Sequence, residues 1–306
     1  MRGNRWLDYA AYAGLRVFYA VVHMFPVDMN LRTARLMGDL WYRLSRRHRE
    51  RAMGNLRRSF GPEITEAELE RLARRSMQQM AMMAMEVLFE PRLISEWTWP
   101  RHIRLRGLAD ALRVLLSHRG CIMLTGHYGN WELVGFALAA LGFDMVAVMR
   151  PLDNPYLNEW LVKIREQRGL RLLYKKGVAR SADEVLEAGS ALCFIADQNA
   201  GHKGLFVDFF GRPASTYKSI GLLAIRHQVP IIVGCARRLS DRFDYEIEVN
   251  RIIRPEEWTG RQDELLWITK EYTRAIEDLV RVDPGQYLWV HRRWKTRPKD
   301  EVPELG

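Results

Sequence analysis

Apolar residues in the first 120 positions recur at the three- and four-residue spacing of helices. Between Trp6 and Phe25, Leu7, Ala11, Leu15, Phe18, Val22 and Phe25 fall along one helical face. Asp8, Tyr12, Arg16, Tyr19 and His23 fall along another. Pro26 breaks this helix, and a second is expected over 29–45. Thr65 and Glu68 have the spacing of a capping box, which predicts a helix running to about residue 90. It carries Met77, Met80, Met82, Met83 and Met85, a run suited to an acyl-chain groove or, more commonly, to plain core.

After residue 118 the pattern changes. Cys121–Thr125, Met145–Met149, Ala191–Ala196 and Pro230–Ala236 are short continuous apolar runs and predict buried strands. Trp131–Leu141, Pro155–Arg168, Ala182–Ala188, Thr216–His227 and about 262–282 predict helices between and after them. Strand–helix alternation with apolar strands implies an α/β sheet covered on both faces. Tyr245–Val249 alternates apolar and acidic residues and is expected as a more exposed edge strand. The chain divides into an N-terminal helical region, 1–60, and an α/β domain, 61–306.

Charge and cysteine usage narrow the class. The 306 residues carry a net charge of +10. Arg43, Arg46, Arg47, Arg49, Arg51, Arg57 and Arg58 crowd one stretch just after the apolar segment. Basic residues beside an apolar helix fit an anionic membrane surface better than a nucleic-acid groove, and no nucleic-acid motif is present. The alternative is a solvated Arg-rich helix face. Asp8, Arg16 and His23 interrupt the first apolar stretch. This favours a helix lying in the membrane interface over one packed on the protein, and either over a true span. No small-residue cleavage site follows it, so it is not read as a secretory signal. Cys121, Cys193 and Cys235 are well separated and lack metal-site spacing, which points to reduced, unreactive thiols and no metal.

The densest candidate chemistry is Thr125-Gly126-His127-Tyr128-Gly129-Asn130-Trp131-Glu132, after a buried strand and at the start of a helix. Gly126 and Gly129 permit a tight turn, and Asn130 suits the N-cap. On a continuous helix His127 and Glu132 would be rotated apart by about 140°. A loop before the cap lets the Glu132 carboxylate reach the imidazole, fix its tautomer and make it a general base. The competing reading is a structural turn histidine with Glu132 as a helix N-terminal charge. The pair is not a His-Glu-x-x-His zinc motif.

The segment Gly126–Glu132 resembles the His-x4-Asp/Glu motif of the bacterial lipid A late acyltransferases, the lauroyl/myristoyl transferase family. That family is similar to the lysophospholipid and phosphatidylinositol mannoside acyltransferases. The resemblance continues through Met149–Pro155, Ala196-Asp197-Gln198, Val207–Thr216 and Tyr287–Lys295. Asn55-Leu56 with Phe60-Gly61-Pro62 resembles its N-terminal element, here with a glycine between Phe and Pro.

The resemblance implies a glycerol-phosphate acyltransferase-like mixed sheet flanked by helices, with a helical membrane-docking region. The implied enzyme needs no cofactor. It moves an acyl group from acyl carrier protein or CoA to a glycolipid hydroxyl, at the cytoplasmic face of the inner membrane. It also implies roles for site residues. His127 and Glu132 are catalytic, with Asn130, Arg150, Arg165, Asp197, Gln198, Phe210 and Gly211 supporting or binding substrate. Arg150 and Arg165 are basic groups near the site, and Asp197 is a second orienter of the histidine. Phe210 and Gly211 line the acyl chain. Residue by residue, the alternatives are a surface ion pair for Arg165 with Glu159 or Glu166, a loop anchor for Asp197 and core packing for the phenylalanines. Amides of the glycine-rich turn and arginine side chains are candidate oxyanion donors. Arg292, Arg293 and Lys295, interleaved with Trp289 and Trp294, suggest a membrane-interface segment. The rival classes are a lysophospholipid or phosphatidylinositol mannoside acyltransferase and a non-catalytic lipid-binding module.

Overall fold

The structure is a computed structural model that describes residues 5–174 and 178–299; the outermost ends of both expected regions lie outside these. Helices α1 (Arg5–His23), α2 (Val27–Leu44), α3 (Arg46–Phe60), α4 (Glu66–Glu86) and the short α5 (Glu90–Leu93) come first. They lead to β1 (Ile103–Arg106), α6 (Ala109–Leu116), β2 (Cys121–Thr125), α7 (Trp131–Ala140), β3 (Met145–Met149), α8 (Pro155–Glu166) and β4 (Arg171–Tyr174). Next come α9 (Val178–Glu187), β5 (Ala191–Ile195), β6 (Leu205–Phe209), β7 (Arg212–Thr216), α10 (Lys218–His227) and β8 (Ile231–Arg238). Strand β9 (Tyr245–Ile253), α11 (Pro255–Trp258) and α12 (Glu264–Val282) precede an irregular C-terminal segment that opens with a 3-10 turn at Pro284–Gln286.

Seven strands form one sheet in the order β1-β9-β8-β2-β5-β3-β4, while β6 and β7 form a separate hairpin. Every neighbouring pair in the large sheet is parallel except β8–β9. Alternation of side chains along the central strands divides the core. Ile122, Leu124, Val146 and Leu192 face α9, α10 and α12. Cys121, Met123, Met145 and Ala191 face α6, α7 and α8. Both faces are covered, as the continuous apolar strands require. Helix α7 is apolar nearly all round because it is buried, and Asn130 caps it by accepting from the Leu133 amide at 3.1 Å.

Strand β9 is not an edge. Strand β1 pairs with it in parallel on its outer side, leaving β1 and β4 as the edges. Its acidic positions are neutralised in place: Arg237 bonds Glu246 at 2.5 Å and Glu248 at 3.2 Å. Only half of the expected capping box forms at α4. Thr65 accepts from the Glu68 amide, but the Glu68 side chain pairs with Arg71 instead. Met77, Met82, Met83 and Met85 are core.

Helix α1 sits on the domain through its polar and aromatic face. Tyr19 packs edge-on against Trp160 at 5.4 Å, and His23 stacks on Phe89 at 4.3 Å and bonds the Leu88 carbonyl. The apolar face points away, with Trp6 82% and Met24 78% exposed, alongside Leu7, Val17, Phe18, Val21 and Phe25. Val22, expected on that face, is buried in the core instead. Helix α2 adds exposed Met29, Leu36, Met37, Leu40 and Leu44, a second apolar stripe not singled out in the sequence. Among the described residues no helix is long and apolar enough to cross a membrane.

The C-terminal segment is a strap beneath the motif turn. Asn55 on α3 donates to the carbonyls of Trp289 and His291 at 2.8 and 3.1 Å, and Ser76 on α4 donates to that of Tyr287. Trp289, Arg293 and Trp294 are buried, so this is not an interfacial belt; only Arg292 and Lys295 face outward. Arg293 donates to the carbonyls of Gln198 and Ser215 and to the Thr216 hydroxyl, tying the strap to the loop after β5.

Candidate active site

The turn that carries His127 leaves β2 at its carboxyl end, where α/β sheets expose side chains to ligand. Its amides from His127 to Asn130 are all engaged. The amides of Tyr128, Gly129 and Asn130 donate to the carbonyls of Gly126, Gln286 and Ala236 at 2.7, 3.1 and 3.0 Å. The Leu288 amide returns a bond to the His127 carbonyl at 2.9 Å. Gly129 has φ +60°, and a Cβ there would lie 2.0 Å from the Ala236 carbonyl oxygen, so only glycine fits.

Asp197, just past the end of β5, holds the histidine. Its Oδ2 accepts the His127 backbone amide at 2.9 Å, and its Oδ1 lies 2.6 Å from Nδ1. Burial would raise the acid's pKa, but the field and hydrogen bonds of His127 outweigh it and hold the carboxyl well below the usual range. An ionised acceptor on Nδ1 fixes that nitrogen as the donor and leaves Nε2 facing outward. Gln198 places its Nε2 3.4 Å from the His127 Nε2. The imidazole is walled by Trp131, edge-on at 4.9 Å, and by His291 at 4.3 Å. Burial and the neighbouring His127 push the His291 pKa down to about 4, so it stays neutral near neutral pH.

His127 opens into a cleft of about 910 Å³ at the carboxyl ends of β2, β3 and β5. Apolar walls predominate, including Val134, Leu161, Leu170 and Leu172 on one side of the sheet and Ile220 and Leu223 on the other. Glu132, Arg150, Arg165 and Gln198 supply polar points on the lining.

Several expectations are revised by this geometry. Glu132 does not hold the His127 imidazole. It forms a two-pronged pair with Arg165, at 2.8 Å to Nε and 2.6 Å to Nη2, and Asp197 takes the histidine. The reason is direction: the first turn of α7 aims Glu132 at α8 across the cleft, while β5 delivers Asp197 beneath the imidazole. Arg165 is therefore no surface ion pair with Glu159, which binds Lys163 instead. The amides of residues 127–130 are all bonded and present no oxyanion donor. Arg150, with its side chain 81% exposed and 3.9 Å from Asp153, remains available at the rim. Phe210 and Gly211 do not line the cleft. They form the turn of the β6–β7 hairpin, with Phe210 packed on Phe60 and Trp289 at 5.3 and 5.5 Å.

Asn130 reaches a buried acidic pair that sequence reading missed. Its amide donates to Glu86 at 3.2 Å and to Glu90 at 2.9 Å. Glu86 is balanced by Arg238 at 2.7 Å and by the Tyr245 hydroxyl. Among the described residues no cation pairs with Glu90, and burial, then the field of Glu132, lifts its pKa to about 8. His291 was overlooked too; its one signal was a histidine amid tryptophans and arginines.

A histidine–carboxylate pair opening on an apolar cleft in an α/β sheet is the equipment of an acyl-transferring enzyme acting on lipid. Comparison with known proteins agrees: the family model described as "Bacterial lipid A biosynthesis acyltransferase" matches residues 3–296, and the chain belongs to that family. The lipid A biosynthesis lauroyltransferase of Escherichia coli (strain K12) is 25% identical over 301 residues, covering 96% of this chain and 93% of the relative. The palmitoleoyltransferase of the same organism is 27% identical over 297 residues, covering 94% and 92%. Its myristoyltransferase is 27% identical over 311 residues, covering 97% and 88%.

Glu90 gives a stability test. Its folded pKa of about 8 exceeds the ordinary 4.5, so between those values the folded chain keeps a proton that the unfolded chain releases. Stability therefore falls as pH rises through that window. Glu90→Gln keeps the acceptor for Asn130 without the ionisation. It should raise the melting temperature at pH 8, have little effect at pH 4.5 and flatten the dependence between them. Parallel melting curves for variant and wild type from pH 4.5 to 8 would contradict a neutral Glu90.

Proposed function

We propose that the chain transfers a fatty acyl group from a thioester, on acyl carrier protein or CoA, to a hydroxyl of a lipid A precursor. The observation that carries this reading is the His127–Asp197 pair opening, through Nε2, onto an apolar cleft large enough for an acyl chain. Family membership supports the reaction class, and relatives named for lauroyl, myristoyl and palmitoleoyl transfer support a lipid A acceptor.

Nε2 of His127 takes the acceptor hydroxyl proton as the oxygen attacks the thioester carbonyl carbon. Asp197 steadies the imidazolium that forms. Charge on the tetrahedral oxyanion meets Arg150 or the Gln198 amide, the donors left once the turn's own amides are committed. The C–S bond then breaks, and the thiolate takes the proton from Nε2. Glu132 acts as a positioning residue: its two-pronged bond holds Arg165 rigid on the cleft wall. Asn130 locks the turn. No covalent acyl-enzyme forms, because the thiols are poor nucleophiles: burial alone pushes Cys121 up to about 12, and burial, followed by the field of a neighbouring thiol or carboxylate, raises Cys193 and Cys235 too.

The protein works at the cytoplasmic face of the inner membrane. The uncovered apolar faces of α1 and α2 enter the lipid interface, and the Arg43–Arg58 stretch meets anionic headgroups. The same charge suits an acidic carrier protein.

His127→Ala should lower the acyl-transfer rate by about a hundredfold or more with its melting temperature retained, the usual scale for losing a general base. Intact mass of wild type mixed with donor alone should show no adduct. Normal turnover in the variant, or a stoichiometric adduct, would overturn the mechanism. Deleting residues 1–27 should release much of the protein from anionic vesicles, and salt should weaken the full chain's binding, since exposed charges are screened within about 10 Å at 0.1 M. Full-length protein left in the supernatant at low salt would refute membrane docking.

A further inference from the structure

Beside the strap that carries His291, three arginines gather without an acidic partner. Arg47 and Arg51 stand one turn apart on α3, and Arg292 follows His291 directly. Arg51 donates to the Val290 carbonyl at 3.3 Å, one turn before Asn55 grips the carbonyls of Trp289 and His291. Helix α3 thus sets Arg47 and Arg51 beside the strap that carries Arg292 and lays the His291 ring 4.3 Å from that of His127.

Of the other arginines of α3, Arg46 pairs with Glu50 and Arg57 with Glu66, while Arg49 donates to the carbonyls of Tyr42 and Arg43. Among the described residues no carboxylate lies within ion-pair distance of Arg47, Arg51 or Arg292. Burial, followed by the fields of Arg292 and Arg47, lowers the Arg51 pKa, which shows how close the three charges stand. The face is open: a Cβ placed on Gly54, one turn beyond Arg51, would meet nothing within 4 Å.

We infer that Arg47, Arg51 and Arg292 form a binding site for a phosphate monoester carried by one of the two substrates. Like charges held together on a rigid helix and a buried strap oppose the folded state unless an anion joins them. A terminal phosphate brings close to two negative charges and three acceptor oxygens, which match several guanidinium groups better than a singly charged carboxylate or diester does. Such a group bound here would lie one residue from His291, and so would place a substrate relative to His127. The bearer is either a phosphorylated lipid acceptor or a soluble thioester donor such as CoA, whose ribose carries a monoester. The inference rests on the acyl-transfer reading for its choice of substrates.

The test uses the full chain and the double variant Arg47→Ser/Arg292→Ser. Both side chains are exposed, so the fold should survive, and a melting curve checks that. Equilibrium binding is measured to CoA, and to phosphatidylcholine vesicles containing phosphatidic acid or phosphatidylglycerol at matched surface charge. The expected result is a loss of about tenfold or more, the scale of removing a charge-assisted contact, for CoA or for phosphatidic acid vesicles. A selective loss of CoA binding assigns the site to the donor. A loss for phosphatidic acid that exceeds the loss for phosphatidylglycerol assigns it to the acceptor. Unchanged CoA binding together with equal changes for both vesicle types, or with none, would overturn the proposal. The readout is binding rather than turnover, so that failure leaves the His127 assignment standing.

Discussion

Both oxygens of Asp197 are occupied by one residue: Oδ2 takes the His127 amide and Oδ1 its Nδ1. Most of the site follows from keeping that pair buried and aligned. A buried carboxylate is tolerated only where its charge is met by donors, and here the donors are the groups it must orient. The pair also joins two strands. The turn after β2 and the turn after β5 are locked together by side chain as well as by the sheet.

Two supports keep the turn from drifting. On one side Asn130 is caught between the α7 amide it caps and the buried Glu86 and Glu90, with Arg238 and Tyr245 completing the charge balance. On the other side the strap bonds the turn through Gln286 and Leu288. The N-terminal helices therefore do more than offer apolar surface. Through Asn55 and Ser76, α3 and α4 fix the strap, and through the strap they fix the wall of the imidazole pocket. Helices α3 and α4 are thus mechanically coupled to the catalytic turn.

Much of this was legible in the sequence because it depends on local patterns. The four continuous apolar runs are β2, β3, β5 and β8, and the strand-to-helix position of His127 followed from Gly126, Gly129 and Asn130. Strands β1 and β4 escaped notice because four-residue edge strands with one or two apolar positions lack a readable period. Glu132 looked like the partner of His127 because it is near in sequence. The partner, Asp197, is 70 residues away and is brought in by sheet pairing; only the family resemblance, which offered it as a second orienter, pointed to it. The same limit hid Glu86, Glu90 and His291. Tryptophan and arginine near the C-terminus suggested a membrane interface, yet Arg293 is buried because three oxygens await it. Side-chain type alone does not distinguish these two uses.

The central claim is that Asp197, and not Glu132, sets the tautomer of His127. It is tested most directly by comparing acyl-transfer rates of Asp197→Asn and Glu132→Gln, each checked for an unchanged melting temperature and measured across pH. The account predicts that Asp197→Asn loses kcat by orders of magnitude, because the amide no longer fixes Nδ1 as the donor. Glu132→Gln should keep most of kcat and suffer mainly in KM, through a loosened Arg165. A near-normal kcat in Asp197→Asn together with a collapsed kcat in Glu132→Gln would contradict it.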